Sequence, residues 1–306
     1  TVLDGDQIRA SKRLFMTATP RTFTARVRNK ADDEGLEVAS MDDQATFGPV
    51  IHRLSFNKAI EGELLTGYQV VVVLVDDARI HELIEDRYLV ETDTGIENDA
   101  GTLAGYVGVA KAIRDYDLSR TITFHSRVNT AKAFAATLPE IIDWMPTDQR
   151  PSGEIVTGHV SGEMATGQRN VRLNQLRNIE PGQHGLLANA RCLSEGIDVP
   201  ALDGVAFVDP RRSQVDIVQA VGRAIRLADD KTIGTIIIPV YLTSSDDPQT
   251  ALETSEFKPI WDVVNALRAH DDDLAEQLDN IRINKGRTGQ SGPQLPDQIV
   301  IDAPTT

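Results

Sequence analysis

The strongest pattern in the chain is SQVDIVQAVGRAIRL, residues 213–227. The serine that opens it, with an aspartate three residues later, is typical of a helix start. On the predicted helix, Gln219, Arg223 and Arg226 follow at spacings of four and three residues and therefore share one face. Guanidinium groups are planar, permanently charged and forked, so a rigidly held pair suits a phosphate group. A solvated basic face is the alternative interpretation.

A second face of the predicted helix is apolar and carries Val218, Val221 and Ile225. That face can pack on a core and so fix the direction in which the guanidinium groups project. Gly222 costs an ordinary helix roughly 1 kcal/mol relative to alanine. Because it has no side chain, it leaves room for another group to approach the backbone beside Arg223.

Two short apolar runs upstream of this helix, residues 185–188 and 205–208, are predicted strands. Between them lies GIDVP, residues 196–200, and QAVGRAIR follows the second strand. GIDVP followed by QxxGRxxR resembles motifs V and VI of superfamily 2 helicases and translocases. Both motifs stand in the strand and helix contexts that such a match requires.

This resemblance implies a role for the residues of both motifs. Arg223 and Arg226 would reach across a cleft to the γ-phosphate of ATP as arginine fingers, and Gln219 would orient them. Gly196 and Asp198 would lie at the cleft edge and sense the nucleotide. An arginine that neutralises charge on a transferring phosphoryl group can raise the rate by a factor of about 10³ to 10⁵.

The composition indicates a soluble globular protein and limits its partners. The 306 residues are 41% hydrophobic and 25% charged, with a net charge of -15. An acidic surface repels nucleic acid at long range, so any contact must come from a local basic groove. The longest purely apolar run, Val70 to Val75, is far shorter than the roughly 20 residues that span a bilayer. We expect a cytoplasmic protein without a membrane partner, and one cysteine and six scattered histidines predict neither disulfide nor bound metal.

The segment LFMTATP, residues 14–20, predicts a short strand that ends in a hydroxyl-rich turn. Its last four residues resemble helicase motif III, in which the hydroxyls of Thr17 and Thr19 would link the nucleotide site to nucleic-acid movement. A plain turn held by a threonine hydroxyl is the alternative. The phosphate loop and the acidic Mg²⁺-binding box, which should precede motif III, are not found in the 306 residues. We therefore expect a fragment, inactive alone, that uses ATP and Mg²⁺ in the intact two-domain protein without binding Mg²⁺ itself.

Further candidate residues follow predicted strands. Arg127 comes after the strand at 121–124, in a stretch that resembles motif IV. Ligands of open parallel sheets gather at the carboxyl ends of strands, so Arg127 is a candidate for a nucleic-acid phosphate, with pairing to a nearby carboxylate as the alternative. Ser161 and Gly162 end the next strand, where exposed amides suit a backbone phosphate or a simple turn is formed. Asn189 stands near where motif V often has a threonine, so it is a candidate for nucleic-acid contact or coupling.

The alternation of strands and helices from Tyr68 to Val240 predicts an α/β fold with a doubly wound, mainly parallel sheet and helices on both faces. Two helices are predicted between Phe257 and Ile283, as a solvated pair, and the glycine- and proline-bearing tail has little to pack against. By the resemblance, the fold is RecA-like. The predicted divisions are the end of the first RecA-like domain at 1–20, an interdomain linker at 21–46, the second RecA-like domain at 47–242, and a helical extension with a flexible tail at 243–306.

The order Phe-Gly-Pro, Ala-Ile, Gly, Leu, Tyr before the strand that starts at Tyr68 resembles the second motor domain of restriction-enzyme helicases, in particular the type ISP group. The resemblance implies a DNA partner, a missing N-terminal RecA-like domain, and attached nuclease or methyltransferase domains. Two other hypotheses stay open. One is a non-catalytic nucleic-acid-binding or regulatory domain with a degenerate ATPase partner. The other is a nucleotide-binding α/β enzyme, against which no GxGxxG follows the first buried strand.

Overall fold

The computed structural model describes residues 8–17, 19–20, 22–23, 25–35, 38–76, 100–190, 202–209, 214–229, 231–242, 258–288 and 295–302. The chain forms two compact units, Thr1–Leu54 and Ser55–Thr306. Among the described helices, none combines the length and the apolarity that crossing a lipid bilayer requires.

The described part of the first unit contains the helices α1 Ala25–Asp33 and α2 Gln44–Phe47. The strand predicted within residues 14–20 is not formed, and Leu14 and Met16 are exposed. An isolated apolar run has no neighbouring strand with which to pair its backbone groups, and the described residues of this unit supply none. The backbone N–H of Thr19 donates instead to Oγ1 of Thr17 at 3.1 Å. This is the plain turn held by a threonine hydroxyl.

A seven-stranded sheet is the centre of the second unit. The strands are β1 Gly67–Asp76, β2 Arg120–His125, β3 Glu154–Ser161, β4 Gln183–Ala190, β5 Gly204–Phe207, β6 Ile233–Leu242 and β7 Ile299–Asp302. They lie in the order β3-β4-β2-β5-β6-β1-β7, and every neighbouring pair is parallel. The predicted parallel sheet is therefore confirmed. All strands point the same way, so their carboxyl ends form one edge of the sheet, the carboxyl edge, and their amino ends form the other, the amino edge.

β1 shows why the sheet is buried on both faces. Its sequence is a nearly continuous β-branched run, which is typical of a strand covered on both sides. Alternate side chains enter two separate cores, with positions 70, 72 and 74 on one face and positions 71, 73 and 75 on the other. β6 pairs with β1 along its whole length, from Gly67 with Ile233 to Asp76 with Leu242.

Helices cover both faces, as predicted. α4 Ala100–Asp115 and α5 Val128–Trp144 supply the core on one face. The core on the other face receives side chains from the following helices: α3 Phe56–Glu61, α6 Thr166–Arg177, α7 Gln214–Ala224, α8 Lys258–Arg268 and α9 Asp272–Thr288. The strand-helix alternation thus produces the doubly wound arrangement.

The two helices predicted between 257 and 283 are present as α8 and α9, but the prediction of a solvated pair is wrong. Val263, Val264 and Leu267 on α8 are buried in the core. The Tyr68 hydroxyl on β1 donates to Oδ2 of Asp271, between the two helices, at 2.7 Å. Apolar burial and this buried hydrogen bond make α8 part of the domain.

The prediction that the tail has little to pack against is also wrong. β7 pairs with β1 from Val70 with Ile299 to Val73 with Asp302. The Nζ of Lys111 on α4 donates to Oδ1 of Asp302 at 2.6 Å. An open strand edge presents unpaired backbone groups, and this four-residue strand satisfies those of β1.

Candidate functional site

The arginine helix α7 is held by its apolar face. Val218, Val221 and Ile225 are buried in the core, as predicted. A Cβ added at Gly222 would meet no atom within 4 Å, so the backbone beside Arg223 faces open space. Arg223 itself is half-buried. The helix therefore fixes the base of the Arg223 side chain while leaving part of that side chain accessible.

The predicted helical face of three residues is wrong at its last member. α7 ends at Ala224, so Arg226 lies beyond the helix. The carbonyl of Ile225 accepts hydrogen bonds from the backbone N–H of Thr66 at 2.8 Å and from its hydroxyl at 3.2 Å. Arg226 then forms an antiparallel bridge with Leu65. Pairing with this distant segment replaces the next helical turn, which sequence spacing alone does not reveal.

Arg226 lies at the amino edge of the sheet. Its bridge partner, Leu65, precedes the first residue of β1 by two positions. Lys231, whose ammonium group is near enough to feel the charge of Arg226, precedes the first residue of β6 by two positions. α7 thus starts beyond the carboxyl end of β5 and returns the chain to the opposite edge. Arg226 is half-buried there.

Exposed apolar side chains surround Arg226. The antiparallel register that joins Leu65 to Arg226 sets Leu64 opposite Leu227. Leu64 is 59% exposed, Leu227 50% and Ile233, the first residue of β6, 39%. We call these three residues the apolar rim. Clustered exposed apolar residues mark interaction surfaces more often than scattered ones do.

Gln219 shares the face of Arg223, one helical turn earlier. Its Oε1 is buried and accepts no hydrogen bond from the described residues. The predicted orienting contact from Gln219 to an arginine is therefore not made in this conformation. A buried amide oxygen without a donor is costly, so this atom is ready to accept a hydrogen bond if the site closes.

The carboxyl edge holds Arg127, at the N-cap position of α5. Its side chain is exposed and makes no ion pair or hydrogen bond with the described residues, which disfavours the alternative of a carboxylate partner. Asp209, which follows β5, supports Ser126, the residue before Arg127. Oδ2 of Asp209 accepts from the backbone N–H of Ser126 at 2.8 Å and from its hydroxyl at 3.0 Å. Asp209 thus ties the loop that carries Arg127 to the neighbouring strand.

Two other candidates at this edge are buried. Ser161 is 2% exposed and Asn189 is 1% exposed. The carbonyl of Ser161 accepts a hydrogen bond from the backbone N–H of Met164, so a turn follows the end of β3. In this conformation neither Ser161 nor Asn189 offers its side chain to a strand at the surface. Gly162, in the same turn, is exposed.

Four further candidates lie outside the described residues or in the first unit. Gly196 and Asp198 lie outside the described residues. Thr17 and Thr19 belong to the first unit, where the threonine turn joins them. The described part of the chain therefore brings together Gln219 and Arg223 on α7, with Arg226 in the loop beyond it, and sets Arg127 and Gly162 at the carboxyl edge.

Sequence reasoning missed a basic surface on α6. This helix carries Arg169, Arg172 and Arg177 and contains no acidic residue, although the chain has a net charge of -15. The guanidinium groups hydrogen-bond to uncharged side chains of the same helix, those of Thr166, Gln175 and Asn174. Burial, and then the charges of Arg172 and Lys132, lower the pKa of His159 on the adjacent strand β3. An arginine helix without acids in an acidic chain is the sequence pattern that could have identified this surface.

The amino edge also contains two partly buried charged residues, Lys231 and Asp203. Burial is the main cause that lowers the pKa of Lys231 to about 8, Asp203 opposes the shift, and Arg226 adds to it. Burial raises the pKa of Asp203, although its carboxylate accepts the backbone N–H groups of Ser119 and Arg120 at 2.8 Å each. Sequence reasoning did not single out Lys231 or Asp203, because no motif contains them.

Comparison with known proteins assigns the central part of the chain. Residues 109–228 match the family described as helicase conserved C-terminal domain. The probable helicase A859L of African swine fever virus (isolate Pig/Kenya/KEN-50/1950) is 30% identical over 95 residues, 31% of this chain and 10% of that protein. UvrABC system protein B of Ureaplasma parvum serovar 3 is 34% identical over 85 residues, 26% of this chain and 12% of that protein. The matches thus span only about a tenth of these relatives.

A solved structure extends the similarity over most of the chain. It is that of the ATP-dependent type ISP restriction-modification enzyme LlaBIII bound to DNA. The TM-score is 0.71 and the identity 30%, over 86% of this chain and 17% of that one. The match agrees with the parallel sheet and with the helices on both of its faces. Residues 109–228 therefore match the helicase conserved C-terminal domain, and they lie within a RecA-like α/β fold.

Proposed function

We propose that this chain is the second motor domain of an ATP-dependent DNA helicase or translocase, and that Arg223 and Arg226 act as arginine fingers. The observation that carries the proposal is a pair of half-buried arginines, Arg223 in the last turn of a helix whose opposite face is buried in the core and Arg226 in the loop just beyond it. Such a helix holds the positive charge of the guanidinium groups in a fixed position, where the phosphates bound by a partner lobe can meet it. The 306 residues contain no phosphate loop, so the triphosphate must be held by a different lobe.

The guanidinium groups present fit the phosphate groups of ATP. Within the described ranges, no three His, Cys, Asp or Glu side chains gather as a metal site. Bound ATP supplies the phosphoryl group whose transfer to water releases the free energy for movement. Arg223 and Arg226 neutralise the charge that develops on the phosphoryl oxygens, and a rigid support avoids reorganising them during the reaction. When the site closes, Oε1 of Gln219 would accept a hydrogen bond that keeps this donor set in place.

The apolar rim supports the docking of another lobe at the amino edge. Leu64, Leu227 and Ile233 flank Arg226 and would lose their contact with water when a lobe closes over it. Exclusion of water strengthens the interaction of a guanidinium with phosphate because the local dielectric constant falls. The same surface can thus bind the partner lobe and sharpen the action of Arg226.

The carboxyl edge and α6 supply the basic groove that an acidic chain needs to bind DNA. Arg127 and Gly162 lie at strand ends, and α6 begins four residues after Gly162. Guanidinium and backbone N–H groups bind phosphates without reading bases, which suits a motor that moves along DNA of any sequence. The similar LlaBIII structure is described as ATP-dependent and bound to DNA. We propose that the chain belongs to a cytoplasmic restriction or phage-defence protein with attached nuclease or methyltransferase domains, and the similarity to LlaBIII supports the restriction system.

The proposal is tested in the longer protein that joins this chain to a lobe with a phosphate loop. ATP hydrolysis should be stimulated by DNA, and Arg226→Ala should lower kcat by about 10³ or more with little change in nucleotide affinity. Arg150→Ala is the control, because Arg150 is a surface arginine whose carboxylate partner, Asp143, lies 3.8 Å away. Turnover of Arg226→Ala at the wild-type rate would refute the finger assignment.

A further inference from the structure

The loop between α7 and β6 carries Arg226 and is fixed from two sides. On one side, Thr66 donates two hydrogen bonds to the carbonyl of Ile225. On the other side, the backbone N–H of Lys231 donates to the carbonyl of Ala228 at 3.1 Å and closes a turn. A finger on a loop needs such supports, because a loop without them samples many backbone conformations.

The side chain of Lys231 supplies a further support for this loop. Its Nζ donates to the carbonyl of Ala224 at 3.0 Å and to the carbonyl of Leu202 at 3.0 Å. Ala224 is the last residue of α7, so its carbonyl has no N–H partner within the helix. Leu202 leads into β5, and both residues are buried. One ammonium group therefore joins the end of the arginine helix to the start of a central strand.

Close packing makes this support specific to Lys231. A Cβ at Gly234 on β6 would lie 2.4 Å from the carbonyl oxygen of Ala224, so the strand passes directly beneath the helix end. The carbonyl oxygen of Ala224 thus accepts from the ammonium group and lies against β6. The length and charge of a lysine let it reach both carbonyls from the loop.

We propose that Lys231 is a positioning residue that holds the end of α7 and thereby sets the place from which Arg226 reaches the nucleotide. This inference rests on the proposed function of Arg226 as a finger. Lys231 lies three positions beyond the matched segment 109–228, so the family match assigns it no role.

Charged groups lie near Lys231. Lys231 faces Asp203, in the segment before β5, and Arg226 in its own loop. Asp203 also feels the charge of Arg120, at the start of β2. At neutral pH the ammonium group is protonated, so its hydrogen bonds to the two carbonyls are charge-assisted. It also keeps a second positive charge near Arg226, where an anionic phosphate benefits from both.

The first test uses the 306-residue chain alone and measures amide hydrogen exchange. Lys231→Met keeps the volume but removes the donor, so we expect faster exchange at the amides of Ile225, Arg226 and Thr66, by about tenfold or more. His184→Ala is the matched control. The ring nitrogens of His184 lie 2.7 and 2.8 Å from the carbonyl oxygens of Leu118 and Ser152, so this variant also removes a side chain that contacts two carbonyl oxygens, but away from the loop. Unchanged exchange at residues 225 and 226 in Lys231→Met overturns the proposal without any reference to catalysis.

The second test uses the longer protein with its phosphate-loop lobe and measures DNA-stimulated ATP hydrolysis. Lys231→Met should lower kcat by about 10² with KM for ATP unchanged, because a misplaced finger affects the transition state more than binding. Lys231→Arg keeps the charge and two donors and should restore most of kcat. His184→Ala should lower thermal stability but not kcat, which separates positioning from a general loss of stability.

The outcomes distinguish the two proposals. If Arg226→Ala turns over normally, the finger assignment fails and the catalytic role of Lys231 fails with it, whatever the exchange data show. If Arg226→Ala is inactive but Lys231→Met has wild-type kcat despite faster exchange in the loop, the finger assignment stands and the positioning role of Lys231 is refuted. Faster exchange, reduced kcat and rescue by Lys231→Arg together support it.

Discussion

Substitution of Gly234 by alanine tests the packing that places the arginine loop. A Cβ at this position on β6 would lie 2.4 Å from the carbonyl oxygen of Ala224 and 2.9 Å from its carbonyl carbon, whereas ordinary contact begins at 3.4 Å. The obstacle is backbone, so no flexible side chain can turn away. The helix end or the strand must therefore move by about 1 Å.

The expected cost follows from two opposing effects. Overpacking a close contact costs about 1 to 3 kcal/mol. Replacing glycine by alanine returns about 0.4 to 1 kcal/mol, because the unfolded chain loses conformational freedom. We therefore expect Gly234→Ala to lower the free energy of unfolding by about 1 to 2 kcal/mol.

The matched control is Gly67→Ala. Gly67 opens β1 at the same edge and pairs with Ile233, the neighbour of Gly234, but a Cβ there meets no atom within 4 Å. This variant should be neutral or more stable by up to about 1 kcal/mol. Urea unfolding followed by circular dichroism measures both variants. Equal urea midpoints for the two variants would show that the end of α7 is not closely packed on β6. They would thereby refute the inference that this packing fixes Arg226.

Two further predictions concern the carboxyl edge and the pH dependence of stability. Asp209→Ala should weaken DNA binding several-fold, because it frees Ser126 and the loop of Arg127, but the salt dependence of the binding constant should not change. Arg127→Ala removes a phosphate contact, so it should reduce the slope of log K against log salt concentration by about one. Fluorescence anisotropy with a DNA duplex at several salt concentrations separates them, and equal slopes in both variants would contradict the assignment. The pKa of Lys231 is about 8 in the folded chain and higher in the unfolded chain. Above pH 8 the chain therefore takes up a proton at Lys231 when it unfolds. Because raising the pH opposes that uptake, the free energy of unfolding should rise between about pH 8 and 9.5. For one proton, the free energy of unfolding changes by at most about 1.4 kcal/mol per pH unit, and the partial exposure of Lys231 reduces this value. An arginine does not titrate in this range, so Lys231→Arg should not show the rise when urea unfolding is measured at the same pH values.

The sequence predicted the fold well because its patterns are local. The β-branched run of β1 and the apolar stripe of α7 each determine an element within about ten residues, and parallel alternation then leaves few topologies. β7 was missed because a four-residue run carries too little periodicity to stand out after a tail rich in glycine and proline. Its place depends on the free edge of β1, more than two hundred residues earlier in the chain.

The site was predicted less completely because its geometry depends on distant contacts. Arg226 leaves the helix since Ile225 bonds to Thr66, a partner 159 residues away. Ser161 and Asn189 stand at the strand ends where ligands gather, but a linear pattern does not show how deeply a strand end is covered. Asn189 lies on β4 between Val160 of β3 and Phe124 of β2, which explains its burial. Spacing thus identified the residue types, and tertiary pairing decided which of them reach the surface.

The separation of the two arginine groups constrains how the proposed motor works. Arg226 lies at the amino edge and Arg127 at the carboxyl edge of one continuous sheet, packed on both faces. A close-packed sheet does not deform locally at low cost, so a force on one edge moves the whole domain. A nucleotide-driven pull on Arg226 would therefore reach DNA at the opposite edge as a rigid-body displacement, without a conformational change passed from residue to residue. This rigid-body displacement requires that the loop of Arg226 be as rigid as the sheet. The contacts of Thr66, Gly234 and Lys231 with the end of α7 provide that rigidity.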